Sequence, residues 1–349
     1  MHTKRVRLGV VGAGIWGRLH IRAYLQHASA ELIGICDLDA RRAAETAREF
    51  GIERFSTNVD ELLGEGLDGI SIATPDAAHA AIAIKAAARG LHILVEKPLA
   101  TTIEECEQMI AAARAAGVYL MVDWHNHWNP PYYKAWQAIR RRELGEVTYI
   151  YYRLSDTIYV PTTMLPWARN SSVMHFLGSH SLDTTCWFVG ARPTRIFCRR
   201  QEGILTGLGI PTADMYITLL DFANGATAVI ENSWVLPQSS PSLVDHRCEV
   251  LGTQGAIYLD MTHGGSIAKY TQETPSGFPH ASLPDVFVMP EVQGRQLGFS
   301  VEPMYHFVEC LRDGKAPLTT GEDGLLNTRL ILAAEESAQK GVPVELAGG

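Results

Sequence analysis

Residues 6–17 read VRLGVVGAGIWG, and the rest of the chain organises around them. The first six residues form an apolar, β-branched run of strand length. The last six read G-x-G-x-x-G at Gly12, Gly14 and Gly17, with Ile15 and Trp16 opening a segment of helical period. Between a strand and a helix this motif has a mechanism. The first glycine makes a tight turn, the second lets the backbone approach a pyrophosphate, the third packs helix on strand, and the helix N-terminus faces the anion. Asp37 ends the next strand candidate, twenty residues beyond Gly17, where a carboxylate accepts a hydrogen bond from a ribose 2′-hydroxyl. A tight βα turn alone would not call for that acid, so the stretch reads as a dinucleotide site. Asp37 favours NAD over NADP because a carboxylate repels a 2′-phosphate, although Arg41 and Arg42 open the following helix and could reach one.

From residue 5 to about 123, short β-rich runs alternate with alanine-rich segments of helical period, the pattern of βαβ units around a parallel sheet. Strand candidates are Val6–Val11, Leu32–Cys36, Gly69–Ala73, Ile93–Glu96 and Val118–Val122. Helix candidates are Ile15–His27, Ala40–Phe50, Ala77–Arg89 and Thr102–Ala116. Thr102 and Glu105 have capping-box spacing, and Gly51, Gly90 and Gly117 stand where helices stop. These features predict an α/β chain whose residues 1–124 form a Rossmann domain with a doubly wound parallel sheet.

Past Asn129 the texture changes, and residues 125–349 read as a second α/β domain. Pro130 and Pro131 interrupt the chain before a basic amphipathic stretch, Tyr132–Arg142, which reads as a crossover helix. The runs Val147–Leu154, Thr194–Arg199, Met215–Phe222, Ala226–Trp234, Cys248–Leu251 and Ala256–Leu259 are longer and separated by turns such as Asn224-Gly225. They predict a large, mostly antiparallel open sheet. Helices Glu302–Arg312 and Glu322–Gln339 close the chain, and residues 262–298, rich in Gly, Pro, Thr and Ser, read as a long mobile excursion over the surface.

Composition narrows the function. The 349 residues are 46% hydrophobic and 19% charged with a net charge of −8, and no basic run offers a footprint for nucleic acid or an anionic membrane. No window holds about 18 consecutive apolar residues, and the amino terminus lacks a signal-peptide pattern, so the expected location is cytoplasmic. Six scattered cysteines without a CxxC indicate neither a zinc knuckle nor a redox dithiol.

Glu96-Lys97-Pro98 follows a strand candidate and so falls at the carboxyl edge of the sheet, where open α/β sheets bind ligands. Ala73-Thr74-Pro75 follows another strand. Further on stand Gly178-Ser179-His180, then Asp183, and a closing FVECLRDGKAPLTTGEDG at 307–324. With these elements the chain resembles the Gfo/Idh/MocA oxidoreductases over nearly its whole length. The resemblance implies a Rossmann domain followed by a substrate-binding and oligomerisation domain, with homodimers or homotetramers assembled through the large sheet. It implies a sugar or polyol substrate and a nicotinamide cofactor held by Gly12, Gly14, Ile15, Trp16, Gly17, Asp37, Thr74, Pro75, His79, Glu96 and Lys97. Lys97 is the lysine at the hydride-transfer centre, His180 the histidine acid/base, and Lys97–Pro98 a candidate cis bond.

The chemistry independently suits those roles. Oxidising a secondary alcohol needs a base for the hydroxyl proton and positive charge beside the developing alkoxide. Either Lys97 or His180 could take the proton; His180 is assigned acid/base work and Lys97 electrostatic stabilisation. Two departures from the family stand out. Phe176 occupies the position four residues before His180 where many members carry an aspartate; His175 lies next to it, and Asp183, three residues beyond His180, could orient the imidazole instead. The segment Trp124-His125-Asn126-His127-Trp128-Asn129 replaces the usual arginine or aromatic residues just past a strand end. His125 and His127 suit sugar hydroxyls; with no carboxylate or cysteine close in sequence, no metal is expected. Trp167 and Arg169 complete the expected substrate contacts. Rival readings are an NAD-dependent glycosidase working by transient oxidation and elimination, and a non-catalytic NAD-sensing regulator; the latter has no need of both Lys97 and His180.

Overall fold

The computed structural model describes residues 5–240, 242–262, 285 and 287–346. It divides into two compact units, one of residues 1–128 and 288–328, the other of 129–287 and 329–349.

The first unit is built on strands β1 (Val6–Val11), β2 (Ala30–Cys36), β3 (Arg54–Ser56), β4 (Gly69–Ile72), β5 (His92–Glu96) and β6 (Leu120–Asp123). They pair in the order β3-β2-β1-β4-β5-β6, all parallel, the doubly wound arrangement whose switch point lies between β1 and β4. The crossovers are α1 (Ile15–Gln26), α2 (Ala40–Phe50), α3 (Val59–Leu63), α4 (His79–Ala87) and α5 (Ile103–Ala116). Asp39 caps α2 by accepting from the amides of Arg41 and Arg42, and Thr102 caps α5 by accepting from that of Glu105. The short pair β3 and α3 was not foreseen, since an exposed three-residue strand carries no periodicity signal. The last strand begins at Leu120 rather than Val118 and runs on to Asp123.

The second unit opens with α6 (Pro130–Arg140), whose two prolines are its first residues, because a proline needs no amide partner in the first turn. Strands β7 (Val147–Thr157), β8 (Pro193–Gln201), β9 (Met215–Phe222), β10 (Thr227–Leu236), β11 (Val244–Gly252) and β12 (Ala256–Asp260) follow, interrupted by α7 (Ser179–Val189) and the short α8 (Ile204–Gly207). The last elements are the hairpin β13 (Glu291–Val292) and β14 (Arg295–Gln296), α9 (Glu302–Asp313), α10 (Gly321–Lys340) and β15 (Val344–Glu345). The large sheet runs β12-β11-β7-β10-β9-β8-β15 and is antiparallel except where β7 meets β10. Its core face, with Ile150, Tyr152, Ile230, Trp234 and Leu220, is buried under helical segments, while alternate residues point away from that core. Helix α7 was missed because its Ser- and Thr-rich sequence is buried nearly throughout and shows no amphipathic stripe. Of the expected excursion, residues 263–284 and 286 lie outside the described residues, and the segment after 287 carries the β13–β14 hairpin.

Candidate functional site

In the first unit the glycine loop joins β1 to α1. Gly12 has φ +96°, and a Cβ there would meet the Ala73 carbonyl oxygen at 2.3 Å; one at Gly17 would meet the Gly12 oxygen at 1.9 Å. Among the described residues nothing lies within 4 Å of a Cβ position on Gly14, and as the N-cap of α1 it supplies no side-chain acceptor. The helix therefore presents its first amides to an open cradle, as a pyrophosphate requires. Asp37, buried at the end of β2, accepts from the Ala13 amide at 2.8 Å and the Asp39 amide at 2.9 Å. Arg42 grips the same carboxylate with Nε at 2.9 Å and a terminal nitrogen at 2.8 Å, whereas Arg41 turns to Glu45. Burial works against the Asp37 charge, but Arg42 and the two amides outweigh it and hold the carboxyl below its ordinary range.

The β4 and β5 loops are fastened together by His79. One ring nitrogen lies 2.9 Å from the Pro98 carbonyl oxygen and the other 2.9 Å from that of Thr74. The buried ring thus braces both loops, and both its nitrogens are occupied by backbone. Thr74 keeps a buried hydroxyl with no partner among the described residues. The Lys97–Pro98 bond is cis, and Lys97 is 7% exposed.

Around Lys97 the fold gathers ionisable groups, of which His20 and Asp123 were not singled out by the sequence alone. His20, on the inner face of α1, sets Nε2 3.2 Å from Glu96 Oε1 and 3.5 Å from Asp123 Oδ2. Burial opposes a charge on Glu96, yet the His20 bond and the positive charge of Lys97 win, and its pKa is lowered. Burial and the neighbouring Glu96 charge push Asp123 well above the usual carboxylate range. His125, next along the chain, stacks on Trp16 at 5.8 Å and packs against Phe299 at 5.4 Å. Burial lowers its pKa to about 4, with the Lys97 charge in the same sense and Glu96 opposing. His127 packs on Trp128. His20 stands three residues past the glycine motif, and Asp123 ends the last parallel strand; a carboxylate at a strand's carboxyl end was the available signal.

In the second unit, residues Met174–Gly178 form a π-helical turn that runs straight into α7, so His180 sits in the first turn of that helix. The wide turn breaks the regular spacing between residues 176 and 180 on which the shared-face expectation rested. Phe176 packs edge-on against Trp167 at 5.8 Å and tilted against Trp234 at 5.7 Å, an apolar role in place of a carboxylate. A Cβ on Gly178 would lie 2.4 Å from Met174 Sδ, so a side chain there would have to displace that methionine. Asn232 on β10 donates to the Leu154 carbonyl at 3.0 Å and to Ser181 Oγ at 2.7 Å, fixing α7 over the strand pair. His175 Nδ1 lies 3.0 Å from Ser172 Oγ, which donates to Glu335 at 2.8 Å. Burial raises Glu335, but the contacts to His175 and Ser172 and the charge of Arg200 prevail and keep it low. Asp183 is half-buried on α7 and Arg169 is exposed.

A glycine cradle at an α-helix start, an acid at the end of β2 and a buried lysine at the carboxyl edge of the same sheet define a nicotinamide-dinucleotide oxidoreductase. The sequence matches the profiles "Oxidoreductase family, NAD-binding Rossmann fold" over residues 6–124 and "Oxidoreductase family, C-terminal alpha/beta domain" over 137–346, and the chain belongs to this Gfo/Idh/MocA family. It is 28% identical to scyllo-inositol 2-dehydrogenase (NAD(+)) of Bacillus subtilis strain 168, with 98% of this chain and 96% of that protein aligned. It is likewise 28% identical to D-apiose dehydrogenase of Paraburkholderia graminis, over 99% of this chain and 90% of that one. Among solved structures, GenD2 from gentamicin A biosynthesis in complex with NAD superposes with a TM-score of 0.87 at 24% identity, over 100% of this chain and 98% of that one, a likeness of fold. The first unit is thus an NAD-binding Rossmann domain and the protein an enzyme of CH–OH oxidoreduction. Among the described residues no helix is long and apolar enough to cross a membrane.

Proposed function

We propose that the enzyme reversibly oxidises a secondary hydroxyl of a sugar, sugar derivative or cyclic polyol to a ketone, with NAD as hydride acceptor. The observation that carries this reading is Lys97, a buried cation at the carboxyl edge of an NAD-binding sheet, where charge would meet an alkoxide as it develops. Bound NAD would supply the nicotinamide carbon that takes the hydride. Gly12, Gly14, Ile15, Trp16 and Gly17 would hold its pyrophosphate, Asp37 its ribose, and Thr74 and Pro75 would line it, with His79 acting through the loops it braces. Lys97 stabilises the alkoxide and His180 takes the hydroxyl proton. His125, neutral well below pH 7, can donate or accept a hydrogen bond to a substrate hydroxyl without competing as a base. His127, Trp167, Arg169, His175 and Asp183 complete the substrate contacts. The names of the inositol and sugar dehydrogenases among the relatives support this substrate class.

The test is NADH formation against a panel of inositols, aldoses and glycosides, with NAD and NADP in parallel. Turnover on one polyol or sugar class with NAD, lost at least 1,000-fold in kcat (about 4 kcal/mol) in Lys97→Ala, is the expected outcome. Tight NAD binding with silence across the panel would reject the dehydrogenase, and glycoside cleavage without net NADH would replace it by an elimination mechanism.

A further inference from the structure

The three ionisable groups around Lys97 lie in one unit and form a compact set: His20 from α1, Glu96 from the end of β5 and Asp123 from the end of β6. Their exposures are 0%, 7% and 2%, so each is effectively removed from bulk water. We propose that His20, Glu96 and Asp123 act as one buried proton-sharing triad that carries a single negative charge and thereby keeps the Lys97 ammonium charged, a positioning role in which no bond to substrate is made. This rests on the reading of Lys97 as the stabiliser of the alkoxide.

Geometry decides where the protons sit. An imidazole Nε2–H can point at one acceptor, and Glu96 Oε1 is nearer, at 3.2 Å, than Asp123 Oδ2 at 3.5 Å. Asp123 Oδ1 is buried with no hydrogen-bond partner among the described residues. An ionised carboxylate so placed would lack the donors that such a charge needs, whereas a carboxylic acid is tolerated. His20 Nδ1 is also buried without a partner among the described residues, which suits a bare ring nitrogen and not a second N–H. Asp123 therefore keeps the proton, His20 Nε2 donates to Glu96, and of the two carboxyls Glu96 carries the one negative charge. The directions of the pKa shifts agree: Glu96 is held ionised and Asp123 protonated.

Among the described residues of this unit, the groups set out next face the triad without supplying another anion. On α1, Tyr24 sets its ring edge-on to His20 at 6.4 Å and bonds through its hydroxyl to Ser71 of β4; burial keeps that phenol neutral. From the turn after β6, His125 is neutral above about pH 4. Just past the end of β5 stands Lys97, whose charge acts on Glu96, Asp123 and His125 alike. A lysine this buried loses its proton readily unless an anion stands by, and an adjacent nicotinamide cation worsens the balance. Glu96 is an anion so placed, and Asp123 keeps the count within the triad at one; two adjacent anions would draw an extra proton into the cluster.

Two isosteric substitutions on the same triad then have unlike effects. Infrared difference spectra of the NAD-free protein, wild type against variant at ~pH 8, read the proton directly. Asp123→Asn removes a protonated-carboxyl band and Glu96→Gln does not. In the pH profile of kcat/KM, Glu96→Gln moves the alkaline limb down by about one to three units, as expected for loss of a neighbouring opposite charge. Asp123→Asn leaves that limb in place, because it replaces one neutral group by another. Should either variant fail to fold, the wild-type band alone still tests the idea, since it must persist to ~pH 8. Its absence there, its loss in Glu96→Gln instead, equal shifts of the limb in both variants, or a stoichiometric divalent metal in the purified protein would each overturn the triad. Because the infrared readout needs no substrate, it stands apart from failure of the dehydrogenase reading.

Discussion

At the residue scale, Asp37 and Arg42 show how cofactor choice is built. The carboxylate is gripped by a bidentate guanidinium and two backbone amides, which fixes its orientation before any ribose arrives. The same grip explains why an arginine at the start of α2 need not signal NADP: its fork is spent on Asp37. Removing the carboxylate frees Arg42 and the repulsion disappears with it. In Asp37→Ser the ratio of NADP to NAD affinity, read by titration of intrinsic fluorescence, rises at least tenfold, about 1.4 kcal/mol. In Asp37→Ser/Arg42→Ala the gain vanishes while the loss of NAD affinity remains. A gain that survives loss of Arg42 would show that the guanidinium is only a structural partner of Asp37.

Elements differ in how openly the sequence announces them. The crossover α1 was legible because its glycines have a backbone reason to be glycines, and α5 because Thr102 and Glu105 make a cap that side chains alone reveal. The π turn before α7 was not, because it is set by tertiary packing: Met174 fills the space beside Gly178, and Phe176 packs against both Trp167 and Trp234, the latter far off in sequence. The Lys97 surroundings were half legible. Glu96-Lys97-Pro98 stood out, but His20 and Asp123 come from two other elements and meet only once β5 and β6 pair in register, Glu96 opposite Asp123. This difference between a local and a packed cause is testable on two helices. Gly17→Ala forces a Cβ against the Gly12 backbone oxygen at 1.9 Å, so the start of α1 must move off β1. NAD affinity measured calorimetrically then falls at least tenfold along with the Tm. Thr102→Ala removes one cap at a cost of about 1 kcal/mol, read by denaturant titration, and leaves NAD affinity unchanged. Equal effects on affinity would mean that general loosening, not the cradle's shape, governs binding.

On the scale of the whole molecule, the large sheet buries one face in its own unit and turns the other away. Strand registers line that second face with cross-strand rows. One row reads Phe197, Leu219, Val229, Tyr151, Glu249 and Tyr258 across β8, β9, β10, β7, β11 and β12. The next reads Arg199, Ile217, Glu231, Arg153, Arg247 and Asp260, with Arg153 held between Glu231 and Asp245 and Arg247 between Asp245 and Asp260. Charges neutralised within the sheet itself, beside a row of aromatic and aliphatic side chains, suit burial better than water. Leu219 is 37% exposed, Ile217 45% and Tyr258 70%. Contiguous apolar surface of this kind marks an interaction site. A two-fold contact between like sheets would cover it, since one self-complementary patch serves both copies. The sheet's existence could be read from the sequence. Its two unlike rows could not, because they depend on register, and a slip of one residue would send each side chain to the other face. Sedimentation velocity checks the outcome: the wild type runs as a dimer or tetramer, and Leu219→Arg, which sets a desolvated cation in the apolar row without touching the core face, shifts it to monomer with its Rossmann unit still binding NAD. A monomeric wild type would leave those exposed rows without the partner that their chemistry calls for.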